Sequence, residues 1–137
     1  MEGEVGAFPP CPIRGVQARY VRQTSCLSDV AIVVVDFEPW EEGFTFEVAD
    51  SVTVEDHFRH QLPGFHAALV EGIREELAEK VTDVPLALAV VLRGIRVHET
   101  DSRDESFRMA GRVAVREALL RLNGPPPRPE RRRARPS

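Results

Sequence analysis

Phe65, Leu69, Ile73, Leu77 and Val81 recur at every fourth position, and no other feature constrains the chain as much. The spacing puts all five on one stripe of an α-helix over residues 63–81. Pro63 suits the first turn, where its missing N–H costs nothing. Such a stripe is stable only against a second layer, and the segments around it read as strands. Phe44, Phe46 and Val48 alternate with Thr45 and Glu47, a strand with one wet face. Residues 29–37 are apolar on both faces, with Val30, Ile32 and Val34 opposed to Ala31, Val33, Val35 and Phe37, which marks a central strand. Pro39 ends it, and Glu41, Glu42 and Gly43 make a turn. Residues 17–23 and 86–97 supply two more strands. In the latter, Leu86, Leu88, Val90 and Leu92 share a face, with the small Ala87 and Ala89 opposite. A second helix over 103–122 turns Phe107, Gly111, Ala114, Ala118 and Leu122 inward. The predicted order is β-β-β-α-β-α. It belongs to the α+β class, with both helices on one face of a mostly antiparallel four-strand sheet.

A chain of 137 residues, 42% of them hydrophobic, holds one core. Residues 14–122 form the expected domain. Residues 1–13, rich in Gly and Pro, read as a flexible arm. Residues 123–137 read as a disordered tail, because an Asn-Gly-Pro-Pro-Pro start and an arginine run cannot pack. That tail has five arginines, Arg128, Arg131, Arg132, Arg133 and Arg135, against Glu130, a net +4. The formal charge of the whole chain is −4, which leaves −8 on residues 1–122. An acidic body does not suit a generic nucleic-acid binder. The two cysteines, Cys11 and Cys26, form no CxxC spacing and fit a reducing compartment. The start carries no secretory pattern, and the apolar runs 30–35 and 85–92 are too short to span a bilayer. The expected protein is soluble, cytoplasmic and not membrane-bound.

Nothing in the residues builds a reaction centre. The chain lacks GxxxxGK[ST], so it has no P-loop for a nucleotide. Asp56, His57, His60 and His66 carry metal-ligating atoms without a zinc spacing and read as a solvated region before the helix. Cys26 reads as an idle thiol. Glu75, Glu76 and Glu79 read as the wet face of the first helix, so Glu76→Ala should change stability by less than about 0.5 kcal/mol. Ser102 and Glu105 have the spacing of a capping box at the second helix. No catalytic residue, cofactor or metal is expected.

Two stretches resemble domain IV of elongation factor G. FHAALVEGIREEL at 65–77 is similar to that family's first helix, aromatic-x-x-Ala-Val-x-x-Gly-Ile-Arg-Glu-Ala. HETDSRDESFRMAG at 98–111 is similar to its His-x-x-Asp-Ser-Ser-Glu-x-Ala-Phe-Lys-x-Ala-Gly, which leads into the last helix. Residues 32–46 also resemble the family's Lys-x-Glu-Val-Glu-Pro and the Gly-Phe-x-Phe strand after it. In register, the pieces span residues 19–122.

The resemblance implies a fold shared with a small-subunit ribosomal protein, including a left-handed βαβ crossover against the usual right-handed rule. Tetracycline ribosomal-protection factors carry the same domain. There it reaches the ribosomal decoding region, and the loop before the last helix forms the tip. By that match His98, Asp101 and Ser102 are tip residues, and the partner is the ribosome or structured RNA. The tail arginines would add phosphate contacts. Two departures stand against the match. The family's other tip loop, Gly-Gly-Arg-Gly-Gln-Tyr, is replaced by the uncharged 24–28. Its Gly-Gly-Val-Ile-Pro turn is replaced by 51–60. The alternative is an acidic module repurposed to bind a basic protein. Enzymes also use this fold, and fold alone does not decide among these readings.

Overall fold

The computed structural model describes residues 6–23, 28–50, 52, 61–96 and 104–123. Four strands and two helices follow the predicted order: β1 (Ile13–Gln23), β2 (Ser28–Pro39), β3 (Gly43–Val48), α1 (Leu62–Lys80), β4 (Ala87–Arg96) and α2 (Asp104–Asn123). The sheet order is β1-β2-β4-β3. β2, apolar on both faces, is interior, antiparallel to β1 and to β4. β3 lies at the edge, parallel to β4 and joined to it through α1, so the sheet is mixed.

The burial pattern shows why both helices lie on one face. Val16 and Ala18 of β1, Val33, Val35 and Phe37 of β2, and Leu88, Val90 and Leu92 of β4 are buried together. They meet Phe65, Leu69, Ile73 and Leu77 of α1 and Phe107, Ala110, Ala114 and Ala118 of α2 in one core. On the other face, Gln17 and Arg19 are exposed and Ile32 and Val34 half-buried.

The two helices run in the same direction. Phe65 stacks on Phe107 with ring centroids 4.5 Å apart, and further along Glu76 meets Arg116. Between these points the backbones touch. A Cβ on Gly72 would overlap the Arg108 carbonyl, and one on Gly111 would overlap that of Leu69. The small buried residues of α2, Ala110, Gly111, Ala114 and Ala118, permit that approach.

Two expectations need correction. The arm expected over 1–13 is partly structured: Phe8 is buried, its N–H donates to the Pro85 carbonyl, and its carbonyl accepts from Ala87. β1 also starts at Ile13 rather than at 17, because a bulge at Arg14 and Gly15 extends the pairing. Gly15 takes φ +65°, a conformation glycine adopts without a Cβ penalty. Asp36 on β2 accepts the Gly15 N–H at 2.8 Å and the Arg93 Nε–H at 2.7 Å. Lacking apolar periodicity, the segment gave no sign of this role.

Candidate functional site

Strand direction sorts the chain into two ends. At the first end lie Gln23 and Ser28, which pair across the β1–β2 connection. Arg96 pairs with Ile32 toward the same end, so β4 finishes there. α2 begins there too, since Asp104 reaches the start of α1 at Gly64. At the second end lie Ile13, Pro39, Gly43, Ala87 and the close of α2. There the Arg121 guanidinium donates to the carbonyls of Arg14 and Gly15. β4 therefore closes and α2 opens at the first end, and α2 closes at the second. His98, Asp101 and Ser102 lie outside the described residues. So do Arg128, Arg131, Arg132, Arg133 and Arg135, and Asp56, His57, His60 and Cys26. The structure thus neither joins nor separates the predicted tip residues.

Among the described residues, the densest charge cluster is the seam between α1 and α2. Glu76 is fully buried, correcting the wet-face reading. Its carboxylate accepts from Arg116 Nε at 2.9 Å and forms an ion pair with Arg112, whose Nε lies 3.0 Å away. Glu75 binds Arg108 and Arg112, and Glu79 binds Arg112 at 2.7 Å. Glu105 binds Arg108, and its expected partner in the capping box, Ser102, lies outside the described residues. The hydrogen bond from Arg108 holds Glu75 below the usual carboxylate range, and that from Arg112 does the same for Glu79. Carboxylates held charged in this way stabilise the helix pair and are poorly suited to proton transfer. The signal was present in the sequence: Arg108, Arg112 and Arg116 recur every four residues, opposite Glu75, Glu76 and Glu79.

A shallow depression of about 280 Å³ lies where α1 ends beside the start of β4, lined by Arg74, Leu77, Ala78, Val81 and Leu86. Arg74 covers the Phe44 ring at 5.0 Å, so the one charged lining residue is already engaged. No group of three His, Cys, Asp or Glu side chains among the described residues is placed to hold a metal ion. No described helix is long and apolar enough to cross a membrane.

His66, on α1 against Phe46 with ring centroids 6.0 Å apart, has a buried Nε2 without a partner among the described residues. Burial lowers its pKa below the ordinary 6.5. The unfolded chain therefore takes up this proton first, and stability drops as pH falls through 6.5 toward the lower folded value. Glu75 and Glu79 are also depressed in the folded state. Their contribution is present above the ordinary carboxylate value of 4.5 and is lost as pH falls through their folded values. Urea midpoints across this range should fall in two steps, and His66→Gln should flatten the upper one. An unchanged upper step would assign it to another histidine.

Comparison with known proteins gives this geometry a family. The model of elongation factor G, domain IV, matches residues 12–122, which takes in all four strands, α1, and α2 but for its last residue. The chain belongs to the elongation factor G domain IV family. Elongation factor G 2 of Streptomyces coelicolor is 34% identical, over 78% of this chain and 16% of its own. A crystal structure from Thermus thermophilus shares the fold with a TM-score of 0.54, at 22% identity, over 80% of this chain and 16% of that one. The chain thus spans about a sixth of the length of these relatives. As an elongation factor G domain IV, it is a translation-factor-like module. Two residues inside its matching motifs have a packing reason, since Gly72 and Gly111 are where the helices touch.

Proposed function

We propose that this domain is a non-catalytic module that docks on the ribosome or on structured RNA in the cytoplasm. His98, Asp101 and Ser102 act at its tip, and Arg128, Arg131, Arg132, Arg133 and Arg135 provide electrostatic attraction. The observation that carries the proposal is the family match over 12–122, which spans the motif at 98–102. The strand directions support a division of labour, because β4 closes and α2 opens at one end of the sheet while α2 closes at the other. The tip recognises shape, while the tail supplies charge that the −8 body lacks.

Sedimentation with purified ribosomal subunits at two salt concentrations tests this. Five arginine–phosphate contacts correspond to a log–log salt slope of roughly −4. Removing residues 125–137 should abolish most of the binding and most of that slope. His98→Ala should weaken binding to intact subunits and leave nonspecific RNA binding unchanged. If the wild-type chain fails to co-sediment at low salt, the ribosome reading is wrong. The acidic body facing a basic protein then becomes the better account.

A further inference from the structure

Trp40 is the only tryptophan in the chain, and it is 56% exposed. The Trp40 N–H donates to the Ala87 carbonyl and the Gly43 N–H to that of Leu86, both at 2.8 Å, so the turn between them is fixed onto the start of β4. Glu41 and Glu42, within that turn, are exposed. An open indole beside two carboxylates is the surface that a proline-rich, arginine-bearing peptide recognises. Proline rings stack on the aromatic face, and the guanidinium groups meet the acids.

The chain carries such a peptide. Pro125, Pro126 and Pro127 are followed by Arg128, Pro129 and the run Arg131, Arg132 and Arg133. Consecutive prolines favour a polyproline II helix, which is pre-ordered and loses little entropy on docking. They also lack the N–H groups needed to add a strand to the open edge of β3.

Position makes the contact short-range. Arg121 ties the end of α2 to Arg14 and Gly15. Ile13, one residue from Arg14, pairs with Phe37, only three residues before Trp40. At about 3.3 Å per strand residue that gap is roughly 10 Å. From Asn123, four residues of polyproline II at about 3.1 Å each reach roughly 12 Å, to Pro127. The ten residues from Asn123 to Arg133 span roughly 31 Å as polyproline II, which gives residues 125–133 the length to meet the indole, Glu41 and Glu42. A tether this short gives an effective concentration on the order of millimolar.

We propose that residues 125–133 dock within the same molecule on Trp40, Glu41 and Glu42. The prolines lie along the indole and the arginines on the two carboxylates. Docking withholds these arginines from any polyanion, so the face acts as an internal competitor for the tail. The inference stands independently of the ribosome reading, because its test contains no RNA.

Trp40 is its own reporter. Acrylamide, a neutral quencher, measures indole exposure in the full chain without responding to local charge. Replacing Pro125, Pro126 and Pro127 by Ser should raise the quenching constant about twofold, as the indole face is uncovered. Replacing Arg128, Arg131, Arg132 and Arg133 by Ser should raise it as well, and so should Glu41→Gln with Glu42→Gln. Glu41 and Glu42 are exposed and the tail follows the last helix in sequence, so circular dichroism should be unchanged. Shielding in the wild type should also survive dilution. A quenching constant that is the same in wild type and all three variants would overturn the proposal. Shielding that disappears on dilution would overturn it too, because the tail would then occupy a second copy of the chain.

Discussion

Gly72→Ala should lower the stability of this domain by about 3 kcal/mol or more, although alanine is the better helix former by about 1 kcal/mol. The reason lies in what the new methyl group meets. At Gly72 it meets the backbone carbonyl of Arg108 on α2. A carbonyl held in a helix cannot swing aside, so α1 and α2 must move apart. That separation opens the core around Ile73 and Phe107, both fully buried. The same substitution at Gly64, also on α1, meets only the Asp104 carboxylate at 3.2 Å, the end of a side chain that can rotate away. Gly64→Ala should therefore stay within about 1 kcal/mol of wild type. Urea melts of the two variants compare one chemical change at two sites on one helix. Equal losses would mean that the helices do not touch at Gly72.

The contrast also shows what was legible in the sequence. The four-residue stripe on α1 and the alternating strands predicted every element and their order, because burial on one face imposes a period that composition cannot hide. A second line of α1 residues was missed. Ala68, Gly72 and Glu76 are buried beside the stripe, where α1 meets α2 rather than the sheet. A helix packed against both a sheet and another helix buries a wider arc than one apolar stripe, and the second contact admits small or ion-paired residues. Phe8 escaped for a different reason: one buried residue in a Gly- and Pro-rich segment has no periodicity to reveal it. The candidate site was legible only through the motif at 98–102 and the composition of the tail. Both depend on sequence likeness and charge rather than on packing.

Glu76 yields the sharpest energetic test, because its burial reverses the effect expected of an exposed glutamate. Its carboxylate is fully buried, while its partner Arg116 keeps about half of its side chain in solvent. Losing the acid and losing the bases should therefore have unequal effects. Glu76→Gln removes a charge and keeps the shape. Arg112 still has Glu75 and Glu79, so the loss should be about 1–2 kcal/mol. Replacing Arg112 and Arg116 together by Met keeps most of the aliphatic packing but leaves the Glu76 carboxylate buried and unpaired. A stranded charge of that kind costs about 3–5 kcal/mol. Adding Glu76→Gln to the double Met variant should then restore stability, since it removes the stranded charge, and the three-residue variant should melt above the two-residue one. Independent contributions would instead make a third substitution lower stability again. Urea midpoints at neutral pH for the three variants and wild type separate these cases. If Glu76→Gln deepens the loss in the double Met background, the seam is a set of separate surface pairs, and its buried carboxylate does not determine how α1 and α2 hold together.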